Sequence, residues 1–126
     1  MTPGVPEASG LVLALSTCPD PDVAVRIART LVEERLVACA NLVPGLRSIY
    51  QWQGAVQEEA EVLLLMKTRR ELLGPLKARM AALHPYEVPE LVSVPIEDGL
   101  PAYLAWVRAE TEAAGRMEPN LSTGLG

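Results

Sequence analysis

Few residues in this chain can do chemistry beyond proton bookkeeping. Among 126 residues there is one histidine, His84, and there are two cysteines, Cys18 and Cys39. A neutral imidazole suits copper and zinc, and thiolates suit Cu(I) or zinc. The three together would supply a metal site if the fold, or an assembly of copies, brought them to one place. No Cys-x-x-Cys or His-x-x-x-His spacing is present to do this locally. Cys18 stands just before an expected helix, whose dipole favours thiolate, although Asp20 and Asp22 oppose that shift. Cys39 sits in the apolar run Leu36–Ala40 and reads equally as a small core residue. His84 precedes Pro85 at an expected helix end, where it either caps the last carbonyls or serves as a ligand. Lys67 ends an otherwise apolar strand, placed either to hold a carboxylate or other anion in a cleft or to snorkel to water. Glu58, Glu59 and Glu61 are hard-cation donors by type, but strand alternation sets Glu58 on the opposite face from the other two, so a solvated strand face or ion pairs between subunits is the expected reading. Tyr50, Trp52, Tyr86 and Trp106 are four of the five aromatics and read as anchors of an interface or a cleft.

Several functions are disfavoured. A thiol enzyme pairing Cys18 or Cys39 with His84 lacks a visible third residue to orient the imidazole, and there is no nucleophile elbow. A nucleotide sensor lacks a glycine-rich phosphate loop. Eleven basic against sixteen acidic residues give a net charge of −5. With no Lys/Arg cluster, this argues against nucleic-acid binding. The longest apolar runs, Leu11–Leu15, Leu36–Ala40 and Val62–Met66, fall far short of the roughly 20 residues that span a bilayer. No secretory signal is evident at Met1-Thr-Pro-Gly, so a cytoplasmic protein with reduced thiols is expected.

The elements that must position these residues follow from periodicity. Leu11–Leu15 reads as a strand buried on both faces. Asp20 as cap and Pro21 at the first position open a helix over 21–34, with Ala24, Ile27, Ala28 and Leu31 on its apolar face. A strand from near Val37 to about Trp52 is broken at Pro44-Gly45. Gln53-Gly54 turns it into a return strand over 55–67, whose base, Val62–Met66, reads as buried on both faces. Thr68 and Glu71 suggest a capping box for a second helix, which bends or restarts near Gly74-Pro75 and ends at His84-Pro85. Leu91–Val94, between Pro89 and Pro95, reads as an edge strand. A last helix is expected over 101–113. The order βαββαβ plus a C-terminal helix is the ferredoxin-like α+β plan, with Leu11–Leu15 and Val62–Met66 as the central strand pair. The ordered domain is expected over 11–113, between a flexible N-terminus at 1–10 and a flexible tail at 114–126.

One length does not suit a monomer. A thirteen-residue strand over 55–67 extends about 43 Å, whereas a chain this size folds to a body about 35 Å across. The hairpin must project, and a lone two-stranded ribbon carrying Leu46, Tyr50, Trp52 and Val56 is unstable in water. Laying it on another copy of the chain solves this, so a homo-oligomer is expected.

Four segments, Leu36-Val-Ala-Cys-Ala-Asn41, Ser48-Ile-Tyr-Gln-Trp-Gln-Gly54, Glu61-Val-Leu-Leu-Leu-Met-Lys-Thr68 and His84-Pro-Tyr-Glu-Val-Pro-Glu90, resemble the CutA divalent-cation-tolerance family. The likeness covers about residues 11–110. It implies a ferredoxin-like protomer in a homotrimer whose long hairpins pair between subunits, an architecture similar to that of PII signalling proteins. It also implies a cytoplasmic, non-enzymatic role in tolerance of copper and other divalent metals such as zinc. In some members, metal binding is attributed to a cysteine at the end of the first strand and to the histidine of the His-Pro-Tyr motif. The histidine corresponds to His84. The cysteine position is Ser16 here, with Cys18 two residues later; Cys39 lies in the matching Ala-Cys-Ala-Asn segment.

Overall fold

Alternation along the strands organises the whole molecule. The structure, a computed structural model, describes residues 9–112. Its elements are β1 (Leu11–Cys18), α1 (Pro21–Glu33), β2 (Cys39–Trp52), β3 (Ala55–Arg69), a single 3₁₀ turn (Arg70–Leu72), α2 (Leu73–Leu83), β4 (Val92–Ile96) and α3 (Pro101–Glu110). The four strands form one antiparallel sheet in the order β2-β3-β1-β4, so the two most apolar strands are the central pair. The ferredoxin-like expectation therefore holds.

Even-numbered residues of β1 and of the β3 base point to one face. Ala14, Cys18, Val62, Leu64 and Met66 pack there with Ile27 and Leu31 of α1 and Leu76 and Met80 of α2. The opposite face is covered only at one end, where Val107 of α3 meets Leu11 and Ala38. Leu13, Leu15, Leu63 and Leu65 remain half-exposed there, beside Val43, Val92 and Val94, which are 41%, 53% and 48% exposed. The central strands are thus buried on one face and open on the other, not buried on both. A continuous apolar run does not distinguish a covered face from one that is left open in the single chain.

Local chemistry sets the element ends. Asp20 adopts extended backbone and its carboxylate accepts from the Val23 N–H at 2.9 Å, with Pro21 at the first helical position. Gln53 and Gly54 both have positive φ, 51° and 83°, which is the geometry of a two-residue primed turn. The expected capping box does not form. Thr68 is a buried residue of β3 whose hydroxyl donates to the Leu36 carbonyl at 2.7 Å, and no side chain caps α2. Instead the 3₁₀ turn leads into α2, leaving Pro75 in its first turn, where a missing N–H costs no helical bond. β1 runs three residues past Leu15, because Ser16 and Thr17 continue the pairing with β3. β4 lies one to two residues later than expected and contains Pro95, tolerated at an edge. Ser9 and Gly10, expected in the flexible N-terminus, are held: the Ser9 hydroxyl donates to the Ile96 carbonyl at 2.6 Å, and the Gly10 carbonyl accepts from Arg70. Residues 1–8, the tail 114–126 and Ala113 of the expected last helix lie outside the described residues.

The hairpin projects as its length demands. β1 pairs with β3 only from Val62 to Arg69, so residues 55–61 pair with β2 alone. That leaves seven residues, or about 23 Å, beyond the body of the sheet. Ile49 and Val56 there are 67% and 65% exposed. A bulge at Pro44-Gly45 separates the Val43–Leu63 and Leu46–Glu61 pairs, with Gly45 at φ 84° taking a conformation other residues resist.

Candidate functional site

Where the hairpin leaves the sheet, its open face and the segment after α2 enclose a cleft of about 690 Å³. β2 contributes Ser48, Ile49, Tyr50 and Trp52, and β3 contributes Gln57, Glu59 and Glu61. Thr17 of β1 and Tyr86, Glu87, Val88 and Glu90 complete the wall. Four carboxylates and three aromatic rings line this space, and no basic residue does.

Alternation sorts the glutamates as expected. Glu58 points to the opposite face and pairs with Arg47 at 2.8 Å. Glu59 accepts from the Tyr50 hydroxyl at 3.0 Å. Glu61 is only 7% exposed and accepts from the Tyr86 hydroxyl at 2.5 Å. Burial and the bond to Glu61 together push the Tyr86 hydroxyl well above the usual tyrosine range. The bond to Glu59 moves Tyr50 in the same direction. A solvated glutamate face is therefore the wrong description for Glu61: Tyr86 folds over it and satisfies the buried carboxylate.

His84 follows α2 in extended backbone, as Pro85 requires, and is 6% exposed. Its ring does not cap the helix carbonyls. Nε2 lies 2.7 Å from the Thr17 carbonyl, which can only accept, and Nδ1 accepts from the Tyr86 N–H at 3.2 Å. Both ring nitrogens are engaged in the neutral Nε2–H tautomer. The imidazole, 4.6 Å from the Tyr86 ring, ties the end of β1 to the cleft wall.

The three expected metal donors do not meet within one chain. Cys18 is fully buried on the helix-covered face; burial, then Glu61 and Asp20, push its thiol up to about 11. It is a packed thiol rather than a reactive one, because the helix dipole is outweighed by lost solvation. Cys39 is partly exposed and sits opposite Lys67, five positions along β3 from Val62, the partner of Cys18. The two cysteines are therefore about 16 Å apart along the strand direction. Among the described residues, no group of three His, Cys, Asp or Glu side chains is placed to hold a metal ion.

The aromatic and basic candidates divide likewise. Tyr50, Trp52 and Tyr86 line the cleft. Trp106 lies away from it on α3, 43% exposed, with its ring 5.7 Å from that of Tyr103. Lys67 stands at the far end of the open face, where its ammonium donates to the Asn41 side-chain oxygen. Composition did not single out Thr17, Glu87 or Glu90 as wall residues. The His-Pro-Tyr-Glu segment held the available signal, since a proline-stiffened turn after a helix is a common way to present side chains to a cleft.

A family model described as CutA1 divalent ion tolerance protein matches residues 12–110. The chain is similar to the divalent-cation tolerance protein CutA of Thermus thermophilus, with 54% identity over 99 residues. These residues make up 79% of this chain and 96% of that protein. It is also similar to protein CutA of Mus musculus, 47% identical over 100 residues, which are 79% of this chain and 56% of that relative. The chain thus spans little more than half the length of the mouse relative. Among solved structures, the divalent cation tolerance protein Cut A1 from Thermus thermophilus superposes with a TM-score of 0.78 at 53% identity, covering 80% of this chain and 98% of that one. CutA from Xylella fastidiosa gives 0.79 at 43% identity, covering 81% and 98%.

Proposed function

Since the chain belongs to the CutA1 divalent ion tolerance family, we propose that it acts as a cytoplasmic homotrimer in tolerance of, or response to, divalent metal ions such as copper or zinc. It does so by metal binding or regulatory interaction rather than catalysis. The observation that carries the assembly is the open apolar sheet face continuing into a projecting hairpin. Leu13, Leu15, Leu63, Leu65, Val43, Val92 and Val94 are left uncovered by the protomer. A contiguous apolar face of this kind marks an interaction surface, and a second copy supplies a matching one.

The metal role draws its support from the family and not from a preformed protomer site. His84 is the sole imidazole, and in this conformation a metal ion would have to displace a hydrogen bond from it. Acceptance of a metal ion therefore couples to movement of the Tyr86 segment or to donors shared between copies. The thiol-enzyme alternative finds no support, because Cys18 is buried and unreactive and Cys39 stands at the opposite end of the sheet. A nucleotide is also a poor fit to the cleft, whose four carboxylates oppose phosphate.

Calorimetric titration of the purified oligomer with Cu²⁺ and Zn²⁺ tests the metal role, beside the His84→Ala variant. Saturable binding that weakens in the variant supports it. A variant that titrates like the parent moves the site to the glutamates or a thiol, and a parent that binds neither ion refutes metal binding. Light scattering near 14 kDa at micromolar concentration refutes the trimer.

A further inference from the structure

We propose that copies of this chain dock head to tail, with Lys67 of one copy entering the acidic cleft of the next. This deepens the self-association reading above and rests on it. The open sheet face carries opposite charge at its two ends. Glu59, Glu61, Glu87 and Glu90 line the cleft at the hairpin end without a basic residue among them. Lys67 stands at the other end, six residues along β3 from Glu61, or about 20 Å away. Apolar side chains, Leu63 and Leu65 among them, fill the distance between.

Neither end is neutralised within the protomer. The ion pairs among the described residues use Arg35, Arg47, Arg69 and Arg79, and none of these reaches a cleft glutamate. Arg69, also on this face, is held by Thr111 and Glu71. Lys67 spends one of three donors on Asn41 and has no carboxylate within ion-pair distance among the described residues. Glu59 and Glu61 each accept one tyrosine hydroxyl and keep further lone pairs free.

The cleft suits an ammonium on a methylene stem better than a bare ion. Its carboxylates are not grouped to coordinate a metal ion. The rings of Tyr50, Trp52 and Tyr86 offer apolar surface for the stem and π-faces for the charge. Two-fold docking of the acidic end on itself would set carboxylate against carboxylate. Head-to-tail docking sets unlike ends together, and in a closed ring such as the proposed trimer every cleft is filled by the preceding copy.

Zero-length carbodiimide coupling of the purified oligomer, followed by peptide mapping, tests this. The chain has only two lysines, Lys67 and Lys77, so Lys77 on α2 is an internal control. The expected product joins Lys67 to a cleft glutamate and occurs only in covalent multimers. Lys67→Glu is expected to weaken assembly about tenfold or more by dilution sedimentation, and adding Glu59→Lys to recover most of the loss. Lys67→Arg, which keeps the charge, should assemble nearly as the parent does. An intact oligomer without the Lys67 amide, the same amide within single chains, or an unchanged dissociation midpoint for Lys67→Glu overturns the proposal. A parent that sediments as a monomer without any coupling reagent refutes self-association itself and this docking with it.

Discussion

Leu64 and Leu65 are neighbours in β3 whose truncation should fail in different ways. Leu64 is fully buried between the sheet and the two helices. Leu65 faces the open side, opposite Leu15 and Asn41, and is half-exposed in the single chain. Leu64→Ala removes buried methyl groups and leaves a cavity, at a cost of about 2.7–5 kcal/mol. For a domain near 100 residues this lowers the melting temperature by at least about 10 °C. Leu65→Ala leaves no internal cavity, so the protomer should keep its secondary structure. If Leu65 is buried between copies, its truncation forfeits roughly 1.5–3 kcal/mol per copy, or about ten- to a hundredfold in affinity at each contact. The assay is sedimentation and thermal melting across a dilution series. Leu64→Ala should melt low and remain assembled while folded. Leu65→Ala should dissociate on dilution and show a melting temperature that depends on concentration where the parent's does not. If Leu65→Ala stays fully assembled at nanomolar concentration with an unchanged melt, the open face is not the self-association surface.

Trp52→Ala should also weaken assembly while leaving protomer circular dichroism unchanged, because Trp52 lines the cleft rather than the core; full assembly in a dilution series would show that it contacts no partner. Iodoacetamide at pH 8 should label Cys39 and spare Cys18, as mass mapping would show, since the Cys18 thiol is pushed up to about 11. The folded state holds that proton more tightly than the unfolded chain does, so the associated stability is complete below pH 9 and declines as pH rises towards 11; alkaline melts should show the loss, and Cys18→Ala should flatten it. Tyr86→Phe removes the hydroxyl that satisfies buried Glu61, at an expected cost of about 1–3 kcal/mol by urea unfolding, and an unchanged midpoint would mean that water replaces it freely.

Much of this architecture was legible because it depends on local rules. Asp20-Pro21 specified a helix start, Gln53-Gly54 a turn, and the apolar runs at Leu11 and Val62 the central strands. The overlong return strand also announced that the hairpin would leave the domain. What failed were readings that depend on which neighbour arrives from elsewhere in the chain. Thr68 and Glu71 have the spacing of a capping box, yet a hydrogen bond to Leu36 holds Thr68 in the strand. Val62–Met66 is apolar throughout, yet only one of its faces is covered. The site was harder to read, because a cysteine's type says nothing about its distance from a histidine. His84 touches Thr17, the neighbour of Cys18, whereas Cys39 pairs with Lys67, five positions along β3 from the partner of Cys18. Glu61 looked like a solvated residue because its burial depends on Tyr86, which arrives from 25 residues away.

The bulge at Pro44-Gly45 decides where the hairpin tolerates a change of length. With its one extra residue, Val43 and then Leu46, Ser48, Tyr50 and Trp52 all fall on the open face. Removing Gly45 would leave a single residue opposite Val62, so the two strands would pair without a bulge, and Leu46, Ser48, Tyr50 and Trp52 would keep both their face and their β3 partners. The extra residue therefore bends and twists the root of the arm rather than choosing what lines the cleft. A deletion farther out, between Leu46 and Trp52, would draw that spare residue into regular pairing and turn the side chains between the two points to the other face. One-residue losses should thus be tolerated at the bulge and penalised beyond it.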